Sequence, residues 1–481
     1  MSGKLGSLIA KRGPIRTVGV LGMGYVGIPS AALFAASPEY NNVYGFQRAS
    51  ATSGYKIDLL NRGECPLKGE EPDLPELLRE VVNANKFRCT SDFSEIAGCD
   101  AVTLAIQTPF ARPKDLIPDF TALFEGIHQV GRHISEGTLV VLESTITPGT
   151  TTGIARQILE EESAMNAGED FALAHAPERV MVGRLLRNIR EHDRIVGGID
   201  DVSTQRATEL YTPVLTTGKI IPMSATAAEV TKTAENTFRD LQIAAANELA
   251  LYCEAMGINF YDVRSGIDSL KGEGITRAIL WPGAGVGGHC LTKDTYHLER
   301  GVKVLGGQQL DYPAGKDSLF VLARNINDFM PRHMFTLTNS GLSRINKTMQ
   351  GSKIALLGWA FIADSDDARN TPAELFRDLV INSAGTIAVH DPWVVSYPDV
   401  PIDQDLDAVL AGADAVVIFT GHHAYRKITP ARIRKACDRD PVVIVDGRNL
   451  IDPDVFISAG YVYKGIGRGD RNEHPIRIES P

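Results

Sequence analysis

The sequence predicts an α/β protein in which two doubly wound, parallel-sheet domains are joined by a long central helix set in a helical domain. Three observations predict it. In the first half, short apolar strands alternate with helical stretches, the pattern of a parallel sheet covered on both faces. Residues 226–256 then contain neither proline nor glycine and stop at Gly257, a run that makes a helix of about 45 Å. After a further helical stretch ending near Ser343, the alternation of strand and helix resumes.

In chain order, the first sheet is expected to use Thr17–Leu21, Val43–Phe46, Ala101–Ile106, Leu139–Leu142 and Phe171–His175, with a helix over Ile28–Ala36. Thr226 and Glu229 stand at capping-box spacing and are expected to open the long helix. The second sheet is expected to use residues 354–358, 386–392, 415–420 and 442–447. This organisation divides the chain into domains 1–222, 223–332 and 333–481, in keeping with 481 residues at roughly 150 per domain. A helix longer than a domain is wide is also expected to pair with a second subunit, giving a homodimer through the central helix.

Composition excludes several function classes. A net charge of −10, spread along the chain, argues for solubility and against nucleic-acid binding. No segment approaches the ~18 consecutive apolar residues of a membrane span, and MSGKLGSLIAKRG is too short in apolar character for a signal peptide, so a cytoplasmic location without membrane partners is expected. The six cysteines form no CxxC pair and no His/Cys cluster at zinc-ligand spacing, so no metal is expected. Most read as buried small apolar residues, whereas Cys290 lies in a glycine-rich loop beside charged residues.

Four motifs carry chemistry. The first strand runs into Gly22-Met23-Gly24-Tyr25-Val26-Gly27, where the first glycine allows a tight turn, the second admits a pyrophosphate and the third lets helix pack on strand. This makes the first domain Rossmann-like and NAD its expected cofactor. The acidic residue that would grip the adenosine ribose is replaced by Gln47-Arg48, and Arg48 could accept a 2′-phosphate, so the preference for NAD over NADP is expected to be narrow. The second sheet opens on Gly358-Trp359-Ala360-Phe361, which lacks further glycines and reads as a different ligand crevice. Lys232 and Asn236, four apart on the long helix, share a face, which on spacing alone is either a solvated surface or a pair reaching one atom. In Gly283–Asp294 the glycines are expected to let a ligand approach and leave the Cys290 thiol uncrowded, with Lys293 and His289 favouring its thiolate and Asp294 handling a proton; an inert cysteine in a glycine turn is the alternative.

GMGYVG (22–27), ESTITPGTT (143–151), APERVMVG (176–183), KTAEN (232–236), GVGGHCLTKD (285–294), DARNTPA (367–373) and VDGRN (445–449) together resemble the UDP-glucose and UDP-N-acetylmannosamine dehydrogenase family, in order over nearly the whole chain. The resemblance implies NAD-dependent, four-electron oxidation of a sugar C6 hydroxyl to a carboxylate through a thioester on Cys290. It implies that Lys232 and Asn236 stabilise oxygen charge, that Asp294 and Thr108 position water, and that Glu178 does acid–base work. Thr108, Thr145 and Lys293 are implied beside the cofactor, and Arg179, Lys232, Asn236, Gly287, His289, Arg369 and Arg448 beside the UDP-sugar. Arg277 is implied loosely, as a residue lent across the dimer. The PERV pattern at Glu178-Arg179, with His289 before the cysteine, resembles the N-acetylhexosamine branch, which favours UDP-ManNAc, leaves UDP-GalNAc and UDP-GlcNAc open, and makes UDP-glucose the weaker choice. Phe361-Ile362 departs from the family's Phe-Lys at a nucleotide contact. Two competing readings are a 6-phosphogluconate-type hydroxyacid dehydrogenase, which needs no cysteine, and a non-catalytic nucleotide-sugar sensor.

Overall fold

The computed structural model describes residues 3–67, 71–112, 117–181, 183–270, 279–288, 291–304 and 318–468. The chain divides into two compact units, Met1–Glu235 with Lys293–Asp311, and Asn236–Thr292 with Tyr312–Pro481.

The first unit is built on an eight-stranded sheet. Its strands are β1 (Thr17–Leu21), β2 (Asn42–Phe46), β3 (Phe87–Thr90), β4 (Ala101–Leu104), β5 (Leu139–Leu142), β6 (Ala172–His175), β7 (Arg194–Gly198) and β8 (Ile220–Ser224). The order β3-β2-β1-β4-β5-β6 is parallel throughout and reverses direction of growth at β1/β4, the doubly wound arrangement. β4, β5 and β6 are buried along their whole length, which is why β5 reads as an unbroken apolar run and β4 and β6 as apolar runs broken only by Thr103 and His175. Beyond β6 the sheet departs from the expected all-parallel pattern. β7 pairs antiparallel to β6 and β8 parallel to β7, so the last two strands run against the rest. β8 forms the sheet edge and carries Pro222, which is tolerated there because an edge strand has one side without ladder bonds.

The long helix spans Ala225–Ala255, one residue from the expected bounds. Its capping differs from expectation. β8 runs straight into it, so Ser224 occupies the cap and its Oγ accepts from the Ala227 N–H at 3.3 Å. Glu229, expected to reach back to the helix start, is buried and points elsewhere. Its carboxylate accepts from the Gly149 N–H at 2.6 Å and the Thr151 N–H at 2.8 Å, binding the TPGTT turn to the helix. A distant pair of bare N–H groups thus outcompetes the local box.

The second unit carries a six-stranded sheet of β9 (Lys353–Leu357), β10 (Thr386–His390), β11 (Ile402–Asp403), β12 (Ala415–Ile418), β13 (Val443–Asp446) and β14 (Val462–Gly465). All its pairs are parallel and the order β11-β10-β9-β12-β13-β14 repeats the doubly wound scheme. Against it packs the helix Leu319–Arg344, which ends where expected. Between this helix and the long helix runs a buried polar ladder. Arg324 Nη1 donates to Asp240 at 2.6 Å, Asn327 donates to the same carboxylate at 2.7 Å, Asn247 donates to Asn327 at 2.8 Å, and Asn247 accepts from the Gly283 N–H at 2.9 Å. The ladder ends on the first glycine of the 283–294 segment. Among the described residues no helix is long and apolar enough to cross a membrane.

Candidate active site

The dinucleotide cradle sits at the carboxyl ends of β1, β2 and β4, at the switch point of the first sheet. Each glycine of 22–27 meets a separate geometric demand. Gly22 has φ of 95°, and a Cβ on it would lie 2.7 Å from the Ala105 carbonyl oxygen. A Cβ on Gly27 would lie 2.0 Å from the Gly22 oxygen, so only glycine lets the following helix approach. At Gly24 a Cβ would meet nothing within 4 Å, which leaves the open face that a pyrophosphate needs. A cavity here is lined by Gly22, Met23, Gly24, Gln47, Ile106 and Gly126 among others. The residues present therefore fit a dinucleotide. Tyr25 and Val26 complete the turn into the helix Gly27–Ala36.

Still within the first unit, Lys293 and Asp294 of the helix Leu291–Val304 stand beside Thr108, just past β4. Lys293 Nζ donates to Asp294 at 3.1 Å and to Thr108 Oγ1 at 3.4 Å, and all three are buried. Thr108 in turn donates to the Thr145 carbonyl at 2.7 Å, which ties the two threonine loops together. His297 joins this cluster, with Nε2 3.4 Å from Lys293 Nζ and Nδ1 3.2 Å from Thr147 Oγ1, its ring stacked on Phe120. Sequence reading passed over His297, although its place four residues after Lys293 puts it on the same helical face.

Glu178 is buried and ion-paired to Arg194. The same guanidinium holds Glu143 at 2.7 Å and lies over the Tyr211 ring, whose hydroxyl donates to Glu143 at 2.7 Å. Arg194 is therefore a positioning residue for Glu178 that the sequence did not reveal, because an arginine opening the strand RIVGG reads as an ordinary surface start. His175, at the end of β6, is wholly enclosed. Burial, reinforced by the nearby charges of Arg194 and Lys232, pushes its imidazole down to about 3 and keeps it neutral. Lys232 is itself buried on the long helix. Arg179 donates to the Asp193 carbonyl and lies 3.6 Å from Glu235, so its guanidinium is anchored within this unit.

In the second unit Asn236 is buried on the long helix. The glycine-rich segment lies against the 361–372 loop, while the surroundings expected for the Cys290 thiol lie outside the described residues. A Cβ on Gly285 would lie 2.8 Å from Pro372, one on Gly287 2.6 Å from Phe361, and one on Gly288 2.8 Å from the Phe361 ring. The Gly288 N–H donates to the Arg369 carbonyl at 2.8 Å, and Asn370 donates to the Gly288 carbonyl at 3.1 Å. These glycines permit close packing of the chain beside Arg369, whose side chain pairs with Asp367 at 2.8 Å. Ile362 is exposed. Arg448 donates from Nε to the Phe419 carbonyl at 2.8 Å, at the end of β12, and lies over Gly283, where a Cβ would be 2.6 Å from its Nη1. Arg369 and Arg448 thus stand near the carboxyl end of the second sheet. Cys290, His289 and Arg277 lie outside the described residues. The thiols of Cys89 and Cys99, by contrast, are buried in the first unit and pushed up to about 12 by that burial, which leaves them protonated.

Three family models match along the chain: the NAD binding domain of the UDP-glucose/GDP-mannose dehydrogenase family over residues 16–215, its central domain over 226–313, and its UDP binding domain over 355–453. The chain belongs to the UDP-glucose/GDP-mannose dehydrogenase family. As a member of that family it is an NAD-dependent nucleotide-sugar dehydrogenase, which sets aside the 6-phosphogluconate-type and sensor readings. It is 36% identical to a UDP-N-acetyl-D-mannosamine dehydrogenase from Pyrococcus horikoshii, covering 94% of this chain and 99% of that protein. It is 31% identical to an NDP-N-acetyl-D-galactosaminuronic acid dehydrogenase from Ralstonia solanacearum, covering 90% and 96% respectively. A crystal structure of an NDP-N-acetyl-D-galactosaminuronic acid dehydrogenase from Methanosarcina mazei Go1 is 67% identical and superposes with a TM-score of 0.91, over 99% of this chain and 100% of the other.

Proposed function

We propose that this family member oxidises the C6 hydroxyl of a UDP-N-acetylhexosamine to the carboxylate. The 67% identity to the Methanosarcina mazei dehydrogenase over essentially the full chain carries this reading. It moves UDP-GalNAc ahead of UDP-ManNAc, which the PERV pattern and His289 had favoured, and leaves UDP-GlcNAc third and UDP-glucose last. The chemistry proceeds in two oxidations, with NAD supplying the hydride acceptor for each. The C6 alcohol loses a hydride and a proton to give an aldehyde. The Cys290 thiolate adds to that carbon, and loss of a second hydride from the thiohemiacetal leaves a thioester. Water cleaves the thioester to the uronate and returns the thiol. Lys232 and Asn236, one turn apart on the long helix, donate to the oxygen on which charge develops; Asp294 and Thr108 hold the water, with Lys293 fixing both. Glu178, oriented by Arg194, serves as the proton carrier. Arg369, Arg448, Gly287 and His289 hold the UDP-sugar, and Arg179 and Arg277 complete its surroundings. Thr145 closes the cofactor side.

Incubation with NAD and each of UDP-GalNAc, UDP-ManNAc, UDP-GlcNAc and UDP-glucose tests this directly. An N-acetylated sugar should give two NADH per molecule and exceed UDP-glucose in kcat/KM by about tenfold or more, as a polar substituent matched by the site permits. UDP-glucose turning over fastest would overturn the assignment.

The partition into 1–222, 223–332 and 333–481 is supported by the three family matches, each falling within one of these ranges. Pairing through the long helix is supported by Phe238, 56% exposed, and Tyr252, 59% exposed, which a second copy would cover. Light scattering at micromolar protein should give twice the chain mass, and a monomer would contradict it. Soluble substrates of this kind fit the cytoplasmic location expected from the sequence.

A further inference from the structure

NAD and NADP differ only by a phosphate on the adenosine 2′ oxygen. Discrimination between them rests on the residues after the second strand of the sheet, where a carboxylate grips the ribose hydroxyls and repels that phosphate. Here the position belongs to Gln47, whose carboxamide is occupied by the protein itself. Oε1 accepts from the Met23 N–H at 3.2 Å and Nε2 donates to Ser53 Oγ at 2.9 Å, while Ser53 and Ser50 share a 2.8 Å hydroxyl contact. Gln47 thereby fixes the loop that follows β2 against the glycine turn and brings no negative charge to it.

The same wall of the cavity carries two cations, Arg48 and Lys56, with Ser53 between them in sequence. Arg48 is exposed, and among the described residues no carboxylate pairs with it. Lys56 is half-buried and donates to the Met23 carbonyl at 2.8 Å, which aims its ammonium at the turn and leaves two of its three N–H donors. Glu125 is the acidic group among the described lining residues; it stands on the helix Thr121–His133 that follows β4, across β1 from this wall, and Gln129 donates to it at 3.1 Å. Among the described lining residues none on the β2 side is acidic, and two cations with a hydroxyl can bind a dianion there.

Resting on the dinucleotide-binding assignment, we propose that this cavity accepts NADP as well as NAD, with Arg48 and Lys56 pairing with the 2′-phosphate and Ser53 donating to it. A guanidinium matches two phosphate oxygens at once, and the ammonium supplies the second charge. The hydride chemistry is unchanged, since the phosphate lies at the end of the cofactor remote from the nicotinamide.

Calorimetric titration of the full chain with 2′,5′-ADP and with ADP isolates the phosphate from turnover. 2′,5′-ADP is expected to bind at least as tightly as ADP, and kcat/KM for NADP with the accepted UDP-sugar to fall within about tenfold of that for NAD, the span of one modest interaction. Arg48→Ala and Lys56→Met should each lower the affinity ratio of 2′,5′-ADP to ADP by about tenfold, as expected on losing a charge-assisted contact. Gln47→Asp should lower the ratio further by restoring the repelling carboxylate. If ADP binds and 2′,5′-ADP is weaker by more than about tenfold, a loss that signals repulsion, the proposal fails while the dinucleotide assignment stands. An unchanged ratio in Arg48→Ala also defeats it, and failure of both nucleotides to bind defeats the two together.

Discussion

Replacing Cys290 by alanine should lower two-step NADH formation by about a thousandfold or more, the loss expected when the nucleophile of a catalytic unit is deleted. The reason lies in the substrate's chemistry. An aldehyde offers a hydride for the second oxidation only once an electron-rich atom has added to its carbonyl carbon, and the proposed atom is the Cys290 sulfur. Cofactor and UDP-sugar contacts lie on other residues, so binding of both should survive the substitution. Cys290→Ser separates the steps further. A serine alkoxide is a poorer leaving group than a thiolate, so an ester that forms slowly is also hydrolysed slowly. Intact-mass spectrometry after incubation with NAD and UDP-sugar should then find the uronyl ester on the protein. If Cys290→Ala kept more than about a tenth of wild-type kcat with two NADH per sugar, well above the residue left by a lost nucleophile, the thioester route would be wrong.

What could be read from the sequence were the features whose cause is local. Gly22, Gly24 and Gly27 announce themselves because each meets a backbone demand that another residue cannot, and the structure shows a positive φ, an open face and a close approach in that order. β4 and β5 announce themselves because both faces of a parallel sheet are covered, so apart from Thr103 their residues are apolar without alternation. Where the cause is distant, local reading fails. Thr226 and Glu229 have capping-box spacing, yet Glu229 answers N–H groups 78 and 80 residues away. β8 escaped notice because an edge strand can hold Pro222 and exposed side chains. The glycines at 285, 287 and 288 signal a close approach in either case, and only the fold shows that the approaching surface is Phe361 and Pro372. His297 and Arg194 gain their meaning from partners brought in by other strands and helices, namely Lys293 with Thr147 and Glu178 with Glu143.

The buried ladder behind Gly283 yields the largest stability effect expected in the second unit. Arg324 and Asp240 are each only 1% exposed at the side chain, so neither charge can turn to water. Arg324→Met fits a chain of similar length into the same space but leaves the Asp240 carboxylate without its cation. An uncompensated buried charge of this kind costs about 3–5 kcal/mol. Asp328, the other carboxylate on Arg324, is 60% exposed and loses little by being left to solvent. A pH signature distinguishes the charge effect from a packing defect. Burial already holds the Asp240 carboxyl above its ordinary value, against the opposing pull of Arg324 and Asn327, and loss of the arginine must raise it further. For a carboxyl whose folded pKa is raised, the penalty on folding is full above that folded value and shrinks as pH falls through it toward the unfolded value, because the folded protein then takes up the proton. The deficit of Arg324→Met relative to wild type should therefore be largest at mildly alkaline pH and smaller in acid. Adding Asp240→Asn, which keeps the acceptor for Asn327 and removes the charge, should restore most of the loss at neutral pH. Urea unfolding of the three proteins at several pH values measures all of this. A deficit below about 1 kcal/mol, the scale of an exposed ion pair, or one that does not change with pH, would mean that Arg324 contributes packing alone.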